Sequence, residues 1–152
     1  MNSAVIISIV VAVLIVVVLP LTLLMAGRRL AERPDLAQVK VTENEVRIIP
    51  VGLMRKLALN QEPQLDRREI RRAVAVDRSE LPARGHRVLG TGMPGLAAGR
   101  YRSGKSGASF WLVGRAPRLL LIELEGGPLD FVVLQVRDPG QLAAQLHEPV
   151  RD

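Results

Sequence analysis

The sequence predicts a mainly β domain of about six or seven antiparallel strands, closed by a C-terminal helix and carried behind one transmembrane helix. Three observations lead there. Residues 1–27 contain no Lys, Arg, Asp or Glu, so all 21 basic and 15 acidic side chains fall in the rest of the 152-residue chain. Beyond residue 38, short apolar and β-branched runs alternate with Gly- and Pro-containing turns, the spacing of a barrel or sandwich. Only the last segment changes to a helical period.

From Ala4 to Met25 the side chains are apolar except Ser8 and Thr22, with Pro20 as the one interruption. At about 1.5 Å per residue this stretch reaches roughly 33 Å, enough for a hydrocarbon core of about 30 Å. Val16-Val17-Val18 would favour a strand in water, but a lone span must satisfy its backbone internally and is helical. A cleaved signal peptide fits less well, because Met1-Asn2-Ser3 carries no basic side chain and the apolar run is long. Arg28, Arg29 and Arg33 follow the span, which by the positive-inside rule places the C-terminal domain in the cytoplasm, beside the plasma membrane. The expected organisation is therefore an anchor at 1–27, a juxtamembrane linker at 28–37 and a β domain at 38–152.

Within that domain, Lys40–Thr42 reads as a short strand, Glu43-Asn44-Glu45 as a turn, and Val46–Ile49 as a strand that Gly52–Leu59 continues or pairs with. Ile70–Val76 alternates as a half-buried strand, and Ser79–Gly95 reads as a loop because of its Gly and Pro content. Leu96–Arg102, Ala108–Val113, Leu119–Leu124 and Leu129–Val136 follow as strands. Asp138 is an N-cap, Pro139 suits the first helical position, and Leu142 and Leu146 share a face.

The run Gly90-Thr91-Gly92-Met93-Pro94-Gly95, then Gly99-Arg100-Tyr101, Ser109-Phe110-Trp111-Leu112-Val113 and the closing Arg137-Asp138-Pro139-Gly140-Gln141-Leu142 resembles the bacterial pleckstrin-homology-like (PH-like) domain family. The resemblance covers roughly residues 38–147. It implies a bent, partly open barrel plugged by the terminal helix, in a family whose bacterial members are often membrane-anchored. Low aromatic content and Leu142, where an aromatic is often found, depart from the pattern.

Several function classes are excluded or weakened. Without cysteine there is no disulfide, thiolate metal site or cysteine nucleophile. Gly99-Arg100-Tyr101-Arg102-Ser103-Gly104-Lys105-Ser106 matches the phosphate-loop pattern, yet the residues after it read as a strand where a phosphate loop needs a helix. A hairpin turn is the expectation there, with a small nucleotide-binding enzyme as the remote alternative. His86 and His147 belong to no motif, His147 reading as a surface residue, and Glu123 and Glu125 read as a solvated strand edge. Too few aromatics are present for a nucleic-acid stacking platform.

Charge is uneven. Residues 47–118 hold 15 basic and 5 acidic side chains, whereas 119–152 hold 2 and 6. The densest basic cluster is Arg67, Arg68, Arg71 and Arg72, with Arg55 and Lys56 upstream. These six are the candidate binding residues for a membrane or envelope protein partner or for anionic lipid, which attracts basic residues by about 1 kcal/mol each near the surface. The expected function is a non-catalytic, membrane-anchored interaction module that needs no cofactor or metal, with anionic-lipid sensing as an alternative.

Overall fold

The computed structural model describes residues 3–147, so the outermost residues of the expected 1–27 anchor and 38–152 domain lie outside the described residues. The chain divides into two compact units between Leu30 and Ala31. In the first, helix α1 spans Ser3–Ala31 and includes Pro20. Thr22 Oγ1 donates to the Leu19 carbonyl at 2.8 Å. The helix is long and apolar enough to cross a membrane, and it exposes large apolar side chains along its length. It continues past residue 27, because Ala, Arg and Leu favour helix and extending a formed helix is easy. Pro34 disfavours helix in the residue before it and marks the limit.

Among the described residues, the second unit holds nine strands in two hydrogen-bonded sheets. β1 (Ala37–Val41), β2 (Glu45–Pro50) and β3 (Gln64–Asp66) form a three-stranded antiparallel sheet in that order. The β1–β2 turn is closed by the Glu45 N–H donating to Thr42 Oγ1 at 3.2 Å. β2 alternates half-buried and buried positions along its whole length, as a strand with one face on the core requires.

Residues 52–59, expected to extend or pair with that strand, instead form the short helix α2 (Leu53–Leu57). Gly52, at φ 55°, turns the chain out of the sheet, and Leu-Met-Arg-Lys-Leu are all good helix formers. Met54 and Ala58 then point into the core.

The larger sheet contains β4 (Ile70–Asp77), β5 (His86–Met93), β6 (Leu96–Ser103), β7 (Gly107–Val113), β8 (Arg118–Leu124) and β9 (Phe131–Leu134). Its order is β4-β8-β9-β7-β6-β5. Nine strands replace the expected six or seven, and one pair is parallel. β8 lies one place away from β7, and β9 fills the gap, antiparallel to β8 and therefore parallel to β7. All four residues of β9 are buried, the unbroken apolar run of a central strand covered on both faces.

β5 occupies much of what the sequence suggested was a loop. Pro94-Gly95 is a two-residue connection between Met93 and Leu96, with Gly95 at φ 79° as a type II turn demands. Gly90 and Gly99 pair across β5 and β6, both at positive φ, and a Cβ on either would strike the opposite backbone. The glycines that suggested a loop thus allow these two strands to approach.

One sheet face carries Ala98, Phe110, Leu112, Leu120, Ile122, Val132 and Leu134, all 0% exposed. In the smaller sheet Val46, Ile48 and Leu65 are buried. The other face holds Val76, Tyr101, Trp111, Leu119, Phe131 and Val133. The segment from Arg78 to Gly85 lies over this second face, packing Leu81 onto the cluster. It joins β4 to β5, the two opposite edges, over about 24 Å of sheet, a distance eight extended residues can cover. Arg78 holds it down by donating to the Ala116 carbonyl at 2.9 Å and the Gly114 carbonyl at 2.5 Å.

Helix α3 (Pro139–His147) closes the unit against β4 and β8. Asp138 Oδ1 accepts the Gln141 N–H at 2.9 Å, as its N-cap position predicts. Ala143 and Leu146 are buried while Leu142 is half-buried, so the packed face is turned slightly from the expected Leu142–Leu146 line.

Candidate functional site

The six basic residues singled out from sequence lie on three elements. Arg55 and Lys56 lie on α2, which contacts β2 and β6. Arg67 and Arg68 lie on a single 3-10 turn after β3, and Arg71 and Arg72 begin β4.

Several of these cations already have partners. Arg55 pairs with Glu62, Arg72 lies 3.9 Å from Glu123, and Arg67 Nη1 donates to the Thr42 carbonyl at 3.4 Å. Asp66 accepts the Arg68 N–H at 2.9 Å and so shapes the turn. The register shift between Ile70 and Arg72 is a bulge that aims Arg71 and Arg72 together toward one position on β8. Arg71 lines a shallow cleft of about 350 Å³ with Glu80, Glu123 and Asp130, where both signs of charge meet.

The phosphate-loop look-alike is a hairpin turn. Ser103 pairs with Gly107 across Gly104-Lys105-Ser106, and strand β7 follows directly. The Asp130 carboxylate accepts the Ala108 N–H at 2.6 Å and abuts Gly107. An anion already sits against the turn, so a phosphate there would meet like charge.

The remaining titratable residues are dispersed. Glu123 faces Arg72, whereas Glu125 lies beyond the end of β8 with its N–H on the Glu69 carbonyl at 2.8 Å. Among the described residues no three His, Cys, Asp or Glu side chains group as metal ligands would.

His86 and His147 belong to opposite edges of the large sheet. His147 is exposed, as expected, and its Nε2 lies 2.7 Å from the Ala73 carbonyl oxygen and 3.4 Å from the Ala73 nitrogen. With α3 beside it, this ring covers the outward backbone groups of Ala73 on the β4 edge.

The β5 edge is different. β5 pairs with β6 alone, and Val88, Leu89 and Met93 are 59%, 46% and 43% exposed. From residue 81 to 122 there are seven basic and no acidic side chains, a run finer than the broad charge imbalance noted from sequence. Arg87 sits on β5 opposite Tyr101, while Arg100 and Arg102 sit on β6 opposite Leu89 and His86. Among the described residues, the ion pair within this run is Arg118 with Asp77 at 3.9 Å.

Arg84 lies over the Tyr101 and Trp111 rings at 5.1 and 5.7 Å, a cation–π arrangement. It links the charged surface to the aromatic cluster beneath. The signal for this site was the Pro94-Gly95 hairpin turn, obscured by three more glycines between residues 85 and 92.

Burial raises the Tyr101 hydroxyl above its ordinary pKa, and the nearby Arg84 and Arg87 guanidinium groups oppose that shift only in part. The phenol donates to the Thr91 carbonyl at 3.2 Å. A raised folded-state pKa means its stabilising contribution is complete below the unfolded value of about 10 and is lost as pH climbs through the folded one. Tyr101 is the only tyrosine, so absorbance at the tyrosinate band reports it alone. The expected midpoint lies above that of the urea-unfolded chain.

No family model, curated protein or solved structure matches this chain. The functional reading rests on its own residues.

Proposed function

We propose that this chain is a membrane-anchored, non-catalytic interaction module of PH-like character, whose β domain binds a membrane or envelope protein at the cytoplasmic face. The observation carrying this reading is the β5–β6 surface, where exposed apolar side chains and a run of basic residues border an open strand edge. Such a surface offers binding contacts without a reactive group. Glu123 is matched to Arg72, Asp130 to the Ala108 amide and His147 to the Ala73 backbone, so each serves the fold. The apolar length of α1 and the arginines in its last turn support the anchor and its orientation. Two-dimensional confinement then raises the effective concentration of partners in the same membrane.

The test is photocrosslinking of the full chain in native membranes, with benzoylphenylalanine replacing Arg68, Leu89 or Gly104 in turn. The expected result is a discrete adduct with another membrane or envelope protein, absent when residues 1–30 are expressed alone. No protein adduct from any position would count against an interaction module.

A further inference from the structure

We propose that the outer edge of β5 accepts an extended, acidic segment of a partner protein as a seventh strand of the large sheet. This rests on the interaction-module reading and names the chemistry of the partner.

An edge strand presents a row of backbone N–H and C=O groups able to pair with another chain, and proteins usually blunt such edges. Here the two edges of one sheet are treated differently. On β4, His147 covers the outward backbone groups of Ala73, with α3 packed against the strand. On β5 no proline interrupts the strand, and the one irregularity lies between Arg87 and Leu89. Leu89–Met93 keep unbroken register with β6, which leaves five residues, about one ordinary strand, as a template.

Charge selects the occupant. Arg87, Arg100 and Arg102 belong to the β5–β6 pair, with Arg84 and Lys105 in the flanking segments, and no carboxylate occurs between residues 81 and 122. A second copy joined edge to edge would set these cations against their counterparts, and like charges across strands are destabilising. Anionic head groups would neutralise the cations but leave the strand's backbone groups and Val88, Leu89 and Met93 without matching contacts. A strand alternating carboxylate and aliphatic residues answers all three: ladder hydrogen bonds, carboxylates on the face of Arg87, and aliphatic side chains on the face of Leu89 and Met93.

The experiment uses the full chain in zwitterionic phosphatidylcholine nanodiscs and the probe peptide acetyl-(Glu-Val)4-amide, with acetyl-(Lys-Val)4-amide as control. Binding is followed by anisotropy of the labelled peptide, and its location by hydrogen exchange. The expected result is saturable binding of the acidic peptide that slows exchange in residues 86–93, with the basic peptide inert.

Two exposed-surface variants should weaken binding by about tenfold or more: Arg87→Glu with Arg100→Glu and Arg102→Glu, and separately Leu89→Asp. Unchanged Trp111 emission shows that they are folded. Absence of binding, equal binding of both peptides, or binding that leaves exchange in 86–93 unaltered would overturn the proposal. So would the same protection from anionic vesicles alone. If membrane crosslinking finds a partner from another surface while the peptide ignores β5, this inference falls and the module reading stands. If no protein crosslinks yet the acidic peptide protects β5, the module reading fails while the edge remains a strand acceptor.

Discussion

Replacing Gln135 by leucine is expected to destabilise the domain by about 3–5 kcal/mol, because several buried polar groups would be orphaned together. Gln135 is 0% exposed. Its Oε1 accepts the Gly114 N–H at 2.8 Å and the Ala116 N–H at 3.1 Å, and its Nε2 donates to the carbonyls of Ala31 at 3.2 Å and Arg33 at 2.5 Å. One side chain thus fastens residues 31–33 to the turn between β7 and β8. Leucine has similar volume, so the expected loss comes from unsatisfied backbone groups rather than from a cavity. Gln135→Glu separates the two halves of the argument. A carboxylate can still accept both N–H groups but would face two carbonyl oxygens, so its protonated form is favoured in the folded state. That variant should be most stable below the ordinary glutamate pKa of about 4.3 and lose stability as pH rises through the folded value. Urea denaturation at several pH values, followed by Trp111 fluorescence, checks both.

Trp111→Ala carries the second large effect, about 3–5 kcal/mol. The indole is 3% exposed and sits edge-on between Tyr101 and Phe131, at ring separations of 6.4 and 5.9 Å. Its Nε1 donates to Ser109 Oγ at 2.8 Å. Alanine would leave a void beneath the Arg78–Gly85 segment and leave the Ser109 hydroxyl with only its bond to the Tyr101 carbonyl. Trp111→Phe should cost less, keeping most of the apolar area while losing that hydrogen bond. The change is read by circular dichroism, since the only tryptophan is removed.

These two residues mark the limits of what the sequence made legible. The strands around Ile48, Val76, Leu112 and Ile122 were readable because alternation and turns are local signals. So were the capped helix at Asp138 and the apolar span. The place of β9 was not, because a four-residue apolar run fits any central position and its neighbours depend on how β7 connects to β8. β5 was hidden by glycines that serve a cross-strand contact between residues 90 and 99. Gln135 carried no local mark at all, since its partners lie 19 to 104 residues away along the chain. The basic cluster at Arg67–Arg72 was conspicuous as sequence, but folding gives Arg72 to Glu123 and sets Arg55 against Glu62. The more open surface came from charges spread over residues 84–105 and gathered by hairpin pairing.

The proposed interaction module requires the domain to be held at the cytoplasmic side of a membrane. The chain has no cysteine, so a single Gly104→Cys variant places one thiol at the exposed tip of the β6–β7 hairpin, where no neighbouring atom lies within 4 Å of the added carbon. The measurement is labelling of that thiol with a membrane-impermeant maleimide in intact cells and after lysis, together with alkaline extraction of the membranes. The account predicts a protein that stays with the extracted membranes and is labelled only after lysis. Labelling in intact cells, or release into the soluble fraction, would contradict it.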